Sequence, residues 1–74
     1  MPFIYPNPVC NTLIINYEGF KRIEIIDLNG KIIKTVSTLD KSISVEGIKA
    51  DEYIINVYSE NGLLTTDKLF KAKY

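Results

Sequence analysis

Two apolar runs, residues 23–26 and 32–36, are joined by Asp27-Leu28-Asn29-Gly30-Lys31, and that arrangement predicts a β-hairpin. Asp27 suits the first position of a type I turn, and Gly30 the position after it, where φ must be positive and a Cβ would clash. The loop is then Leu28-Asn29-Gly30, with Gly30 forming a G1 bulge. The competing geometry is a two-residue Asn29-Gly30 type I′ turn. Register separates the two, because a one-residue slip moves a strand's side chains to the other face. The longer loop sets Ile25 opposite Ile33 and Glu24 opposite Lys34. The shorter one sets Ile25 opposite Lys34 and Glu24 opposite Thr35, losing an apolar pair and an ion pair. The bulged loop is therefore expected.

The rest of the chain repeats this strand chemistry. Phe3-Ile4-Tyr5 is followed by Pro6-Asn7-Pro8, which permits only a short edge strand and a corner. Residues 12–17 alternate, with Leu13 and Ile15 on one face and Ile14 on the other, until Glu18-Gly19 turns the chain. Ser42-Ile43-Ser44-Val45-Glu46 alternates cleanly. The connector that follows, 47–51, carries one apolar anchor, Ile48. In residues 52–59 Tyr53, Ile55 and Val57 point one way. Glu60-Asn61-Gly62 resembles the first turn, with Ser59 in the place of Asp27. The last strand, from Leu63 to about Ala72, is irregular: Thr65, Thr66, Asp67 and Lys68 deny the preceding strand a full set of apolar partners. It reads as a bulged edge strand whose charges discourage further pairing.

Seventy-four residues make one domain, at a size where only roughly 60% of the unfolded surface is hidden and every apolar face counts. The chain is 46% hydrophobic, biased toward Ile, Val, Tyr and Phe, as strands prefer. Seven short strands with no helical periodicity predict an all-β fold, a small antiparallel immunoglobulin-like β-sandwich without the cysteine pair and tryptophan of antibody domains. A five- or six-stranded barrel is the alternative.

Nine basic and nine acidic residues cancel, so no global field draws in nucleic acid or anionic lipid. No apolar run is long enough for a membrane helix, and the first residues lack the pattern of a signal peptide. Histidine is absent, and with it the commonest general base and metal ligand. Cys10 has no histidine partner and no nearby cation and reads as a small, partly buried apolar residue. Asp27 is committed to its turn and Glu24 to a cross-strand partner. No glycine pattern cradles a phosphate. The reading is a non-enzymatic domain without cofactor or metal.

In order along the chain stand Tyr5-Pro6-Asn7-Pro8-Val9, Leu13 and Ile15, Ile23 and Ile25 leading to Asp27-Leu28-Asn29-Gly30-Lys31, Ile48 and Tyr53, a second Asn61-Gly62 turn, and a closing Phe70-Lys71. This succession resembles the type A C-terminal sorting domain of the type IX secretion system (Por secretion system) of Bacteroidetes. The resemblance implies a single sorting domain over residues 1–74, with its core at about 5–72, excised from a larger secreted protein. Such a domain directs a large cargo across the outer membrane by protein–protein recognition. The cargo passes through the periplasm to the cell surface or the extracellular space. The implied partners are the secretion machinery, namely an outer-membrane translocon and a surface peptidase, with no nucleic acid and no membrane insertion. A weak homodimer is a further expectation, because small sandwiches with open edges pair readily.

Carried over by position, Tyr5, Pro6, Asn7 and Pro8 match the family's opening motif, Asp27 and Gly30 its hairpin, Tyr53 its late aromatic and Lys71 its terminal basic residue. Corner, turn and core packing account for all but the last. Lys71, read as exposed, is the leading candidate for recognition, with Lys68 and Lys73 second, through strand addition or side-chain docking at the edge of the last hairpin. Asp51 stands where the family usually carries glycine, and Asp is among the few residues tolerated at positive φ. The rival reading is a carbohydrate-binding or adhesion module of a cell-surface protein, using exposed Tyr17, Tyr58 or Tyr74. A weaker one is an enzyme fragment.

Overall fold

The alternation along the chain becomes two facing sheets. The computed structural model describes residues 3–38 and 40–73. Its strands are β1 (Ile4–Tyr5), β2 (Thr12–Ile15), β3 (Arg22–Asp27), β4 (Ile32–Ser37), β5 (Ser42–Ser44), β6 (Asp51–Ser59) and β7 (Gly62–Lys71). All pair antiparallel, in a three-stranded sheet ordered β1-β2-β5 and a four-stranded sheet ordered β4-β3-β6-β7. Neither sheet closes on itself, so the sandwich holds and the barrel does not. Among the described residues there is no helix.

Each strand gives one face to the space between the sheets. Leu13 and Ile15 of β2, Ile23 and Ile25 of β3, and Ile55 and Val57 of β6 are wholly buried, joined by Ile4, Val9, Ile43, Val45, Tyr53 and Leu69. Burying an aliphatic side chain of this size is worth about 1.5–3 kcal/mol, and these side chains form one continuous cluster. Ile48 packs half-buried against it, as the connector's apolar anchor. Cys10 differs from expectation: it is exposed on the corner, because the core position there is taken by its neighbour Val9.

The first turn has the three-residue loop. Gly30 has φ +88°, its N–H donates to the Asp27 carbonyl at 3.0 Å, and the Asp27 N–H donates to the Lys31 carbonyl at 2.9 Å. The Asp27 carboxylate accepts the N–H groups of Asn29 and Lys31, each at 2.9 Å. The register argument that selected this loop nevertheless fails further along. Ile26 lies opposite Ile32, but Ile25 then lies opposite Lys34 and Glu24 opposite Thr35. A second bulge, at Ile33, has absorbed one residue. It turns Val36 inward across from Ile23 where Thr35 would otherwise stand, and turns Lys34 inward across from Ile25. At an edge strand Lys34 can lay its stem along the core margin and keep its ammonium wet. A bulge and an inward-turned charge are also two ordinary means of blunting a sheet edge. Ile33 is left 39% exposed and Ile32 53% exposed. Glu24, freed from Lys34, accepts the Tyr58 hydroxyl at 2.9 Å instead.

The second hairpin shares the side-chain hydrogen bond of the first turn but has a shorter loop. Ser59 Oγ accepts the Asn61 N–H at 3.1 Å, as Asp27 does for Asn29. Ser59 pairs with Gly62 across a two-residue loop, and a bulge at Leu64 then sets Val57 opposite Thr65. The last strand is thus the bulged edge strand expected. Asp51 opens β6 opposite Lys71, and no non-glycine residue among those described has positive φ. Aspartate in the place of the family's glycine therefore carries no backbone strain, and its tolerance of positive φ is not called on.

Asp27→Ala removes two hydrogen bonds that fix the β3–β4 turn. It should lower stability by about 1–2 kcal/mol, seen as a lower urea midpoint with an unchanged m-value.

Candidate functional site

The register brings the motif residues to one end of the sandwich. β3 ends where β6 begins and β7 ends, so Asp27, Tyr53 and Leu69 lie on one rung, with Asp51 and Lys71 two rungs further on. In the smaller sheet, β2 starts at this same end, where the Asn11 carbonyl accepts the Val45 N–H at 2.8 Å.

The opening motif closes this end. β7 is an edge strand, and the alternation of an antiparallel ladder directs the backbone groups of Lys68 and Phe70 off the sheet. Asn7 meets both of them with its side chain: Nδ2 donates to the Lys68 carbonyl at 3.0 Å and Oδ1 accepts the Phe70 N–H at 2.8 Å. Val9 continues with its backbone, donating to the Phe70 carbonyl at 2.8 Å and accepting the Ala72 N–H at 2.8 Å, a parallel bridge to Lys71. The prolines on either side of Asn7, both preceded by cis peptide bonds, leave this stretch no strand of its own, and the asparagine amide supplies what a strand would. The Asp67 carboxylate accepts the Lys68 N–H at 2.8 Å, so the lower half of the β7 edge is covered by the chain itself. Sequence reasoning found the corner but missed this clasp. A carboxamide between two prolines, opposite a strand that must be an edge, is the signal that could have revealed it.

Tyr53 fixes the connector between β5 and β6. Its ring is buried and its hydroxyl donates to the Lys49 carbonyl at 2.6 Å. Gly47, at φ +85°, lets the chain turn back, and the Ile48 N–H donates to the Val45 carbonyl at 3.2 Å. Burial, then the nearby carboxylates of Asp51 and Asp27, push the Tyr53 phenol above its ordinary 10.0.

The three lysines do not share one setting. Lys71 is half-buried, and its ammonium donates to the Ala72 carbonyl at 2.9 Å; the expected free side chain is instead part of the clasped end, because its strand position is held between Asp51 and Val9. Lys73 is exposed just beyond it. Lys68 lies on the outer face of the larger sheet opposite Ile54 and 3.8 Å from Glu52, so it does not join the other two. Tyr5 pairs with Ile14 in the smaller sheet and is 40% exposed.

The tyrosines invoked for glycan contact are engaged internally. Tyr17 sets an edge against Phe3, with ring centroids 6.2 Å apart. Tyr58 bonds Glu24 and lies beneath the Arg22 guanidinium at 4.2 Å. Its phenol is pushed up chiefly by the Glu24 hydrogen bond and then by burial. Tyr74 lies outside the described residues.

Two outcomes are expected. Asn7→Ala should cost about 1–2 kcal/mol and selectively speed amide hydrogen exchange at Phe70. Because the folded state raises the phenols of Tyr53 and Tyr58 above 10.0, the unfolded chain loses those protons first. Their stabilisation is complete below pH 10 and falls as pH rises through the folded values. The thermal midpoint should therefore drop in that alkaline range, and less steeply in Tyr53→Phe.

The family model described as the secretion system C-terminal sorting domain matches residues 3–72, nearly the whole chain. No curated relative and no solved structure matches it. The family is one of sorting signals for secreted proteins rather than of enzymes. The chain belongs to the type IX secretion C-terminal sorting domain family, whose members mark proteins for export to the cell surface or the extracellular space.

Proposed function

We propose that this domain is the C-terminal tail of a larger protein and carries that cargo from the periplasm through the outer-membrane translocon, by direct recognition of its folded surface. The observation that carries the proposal is the match over residues 3–72, supported by the convergence of Asn7, Asp27, Tyr53 and Lys71 on one end. The outer-membrane translocon and a surface peptidase are the proposed partners, and Lys71 and Lys73 lie at the end they would meet.

The geometry narrows the mode of contact. Strand addition along β7 is open only to residues 62–67, because Asn7, Val9 and Asp67 already occupy the backbone groups below. Side-chain docking at the clasped end is therefore favoured over extension of the sheet. Deleting residues 63–74 is a poor probe, since it also removes buried Leu69 and the clasp. Among the described residues no feature favours glycan binding, given the internal engagement of Tyr17 and Tyr58. For the weak homodimer, the β4 edge, with exposed Ile32 and Ile33, is the more open of the two edges of the larger sheet.

The test fuses residues 1–74 behind a periplasm-directed fluorescent reporter in a type IX-competent bacterium and in a translocon-null sibling. Surface or medium fluorescence confined to the competent strain is the expected result. Retention of a folded fusion in both strains would overturn the proposal.

A further inference from the structure

Three lysines drawn from different parts of the chain meet around one shallow depression of about 530 Å³: Lys49 of the β5–β6 connector, Lys71 at the end of β7, and Lys73 beyond it. The connector residues Ile48 and Ala50, both half-buried, also line it. The ion pairs among the described residues are Lys21–Glu60, Lys41–Glu18 and Lys68–Glu52, and none uses these three cations. Glu46, which lines the same depression, pairs with none of them. Among the described residues the Lys71 ammonium donates to a carbonyl, that of Ala72.

This clustering is not the overflow of a basic protein, for cations and anions number nine each. Like charges brought together repel, and among the described residues the lining offers one carboxylate, that of Glu46, for three ammonium groups, paired with none of them. Charge complementarity must then come from outside the chain. We propose that the depression docks an acidic, extended segment of a partner protein, its carboxylates meeting Lys49 and Lys73 while its aliphatic portions lie on Ile48 and Ala50. This rests on the export reading and names the chemistry of the surface that reads the domain. It also adds Lys49, which no motif singled out, and sets Lys68 aside. A phosphorylated headgroup fits less well. A phosphate has nothing to lay on Ile48 and Ala50, whereas the aliphatic portions of a peptide do. The chain's single arginine is engaged over Tyr58.

The test titrates the 1–74 chain at low ionic strength with a hexaglutamate peptide and, separately, with inorganic phosphate, following backbone amide shifts. The peptide should move the amides of Gly47, Ala50, Lys71 and Lys73 saturably. Lys49→Glu should weaken that binding by about fivefold, whereas Lys41→Glu, at the far end, should not. Equal thermal midpoints for the two variants exclude unfolding as the cause. Tighter binding of phosphate at the same amides, or shifts spread evenly over all the lysines, would overturn the proposal. In the reporter fusion, Lys49→Glu should lower export while Lys41→Glu does not. Normal export of Lys49→Glu alongside an exported wild type would overturn the docking role and leave the export reading standing. Failure of the wild type itself would overturn the export reading, and the peptide titration would then decide the docking site alone.

Discussion

The contact on which the rest of this structure depends is the clasp between Asn7 and the last strand. A two-layer sandwich of this size has little apolar area with which to hold its sheets together, and it has open edges. Two side-chain hydrogen bonds from Asn7 and two backbone bonds from Val9 join the start of the chain to its end and bring Val9 into the core. They also cover the backbone groups by which the last part of β7 could pair with another chain. At this same end the Tyr53-anchored connector meets the terminal lysines.

Much of this could be read beforehand, for a physical reason. A strand that buries one face must alternate, so Leu13 and Ile15, Ile23 and Ile25, and Tyr53, Ile55 and Val57 announce their own orientation. Asp27 and Gly30 announce their turn because few residues satisfy that backbone. Counting from a turn to a register is weaker, since it assumes an unbroken ladder. The bulges at Ile33 and Leu64 break it at no cost visible in the local pattern, the first one in favour of Val36 against the core. The same limit applies to the site. Lys71 looks free in sequence because it is a charged residue near the end of an irregular strand, yet its strand is clasped. Lys49 looks like any connector lysine until Tyr53 and Gly47 fold it against the tail.

The two hairpins share a device more than an ancestry visible in their residues. Each uses a short polar side chain, Asp27 or Ser59, to hold the N–H two residues on. Each is followed by a bulge in its returning strand, and each returning strand is an edge of the larger sheet. Turn, bulge and edge thus recur together, and the added twist keeps both margins from presenting a flat ladder.

The clasp spans nearly the whole chain, joining residues 61 and 63 positions apart. Long-range closure of this kind is among the last contacts a β-fold can secure, because the loop must be closed before the bonds repay it. A chain broken off before Phe70 has no partner for Asn7 Oδ1 and none for the Val9 N–H, whatever the state of the strands before it. The surface at this end therefore exists only on chains that run through Phe70 and Ala72, so that a truncation there dismantles it while leaving nearly all of the strand sequence in place.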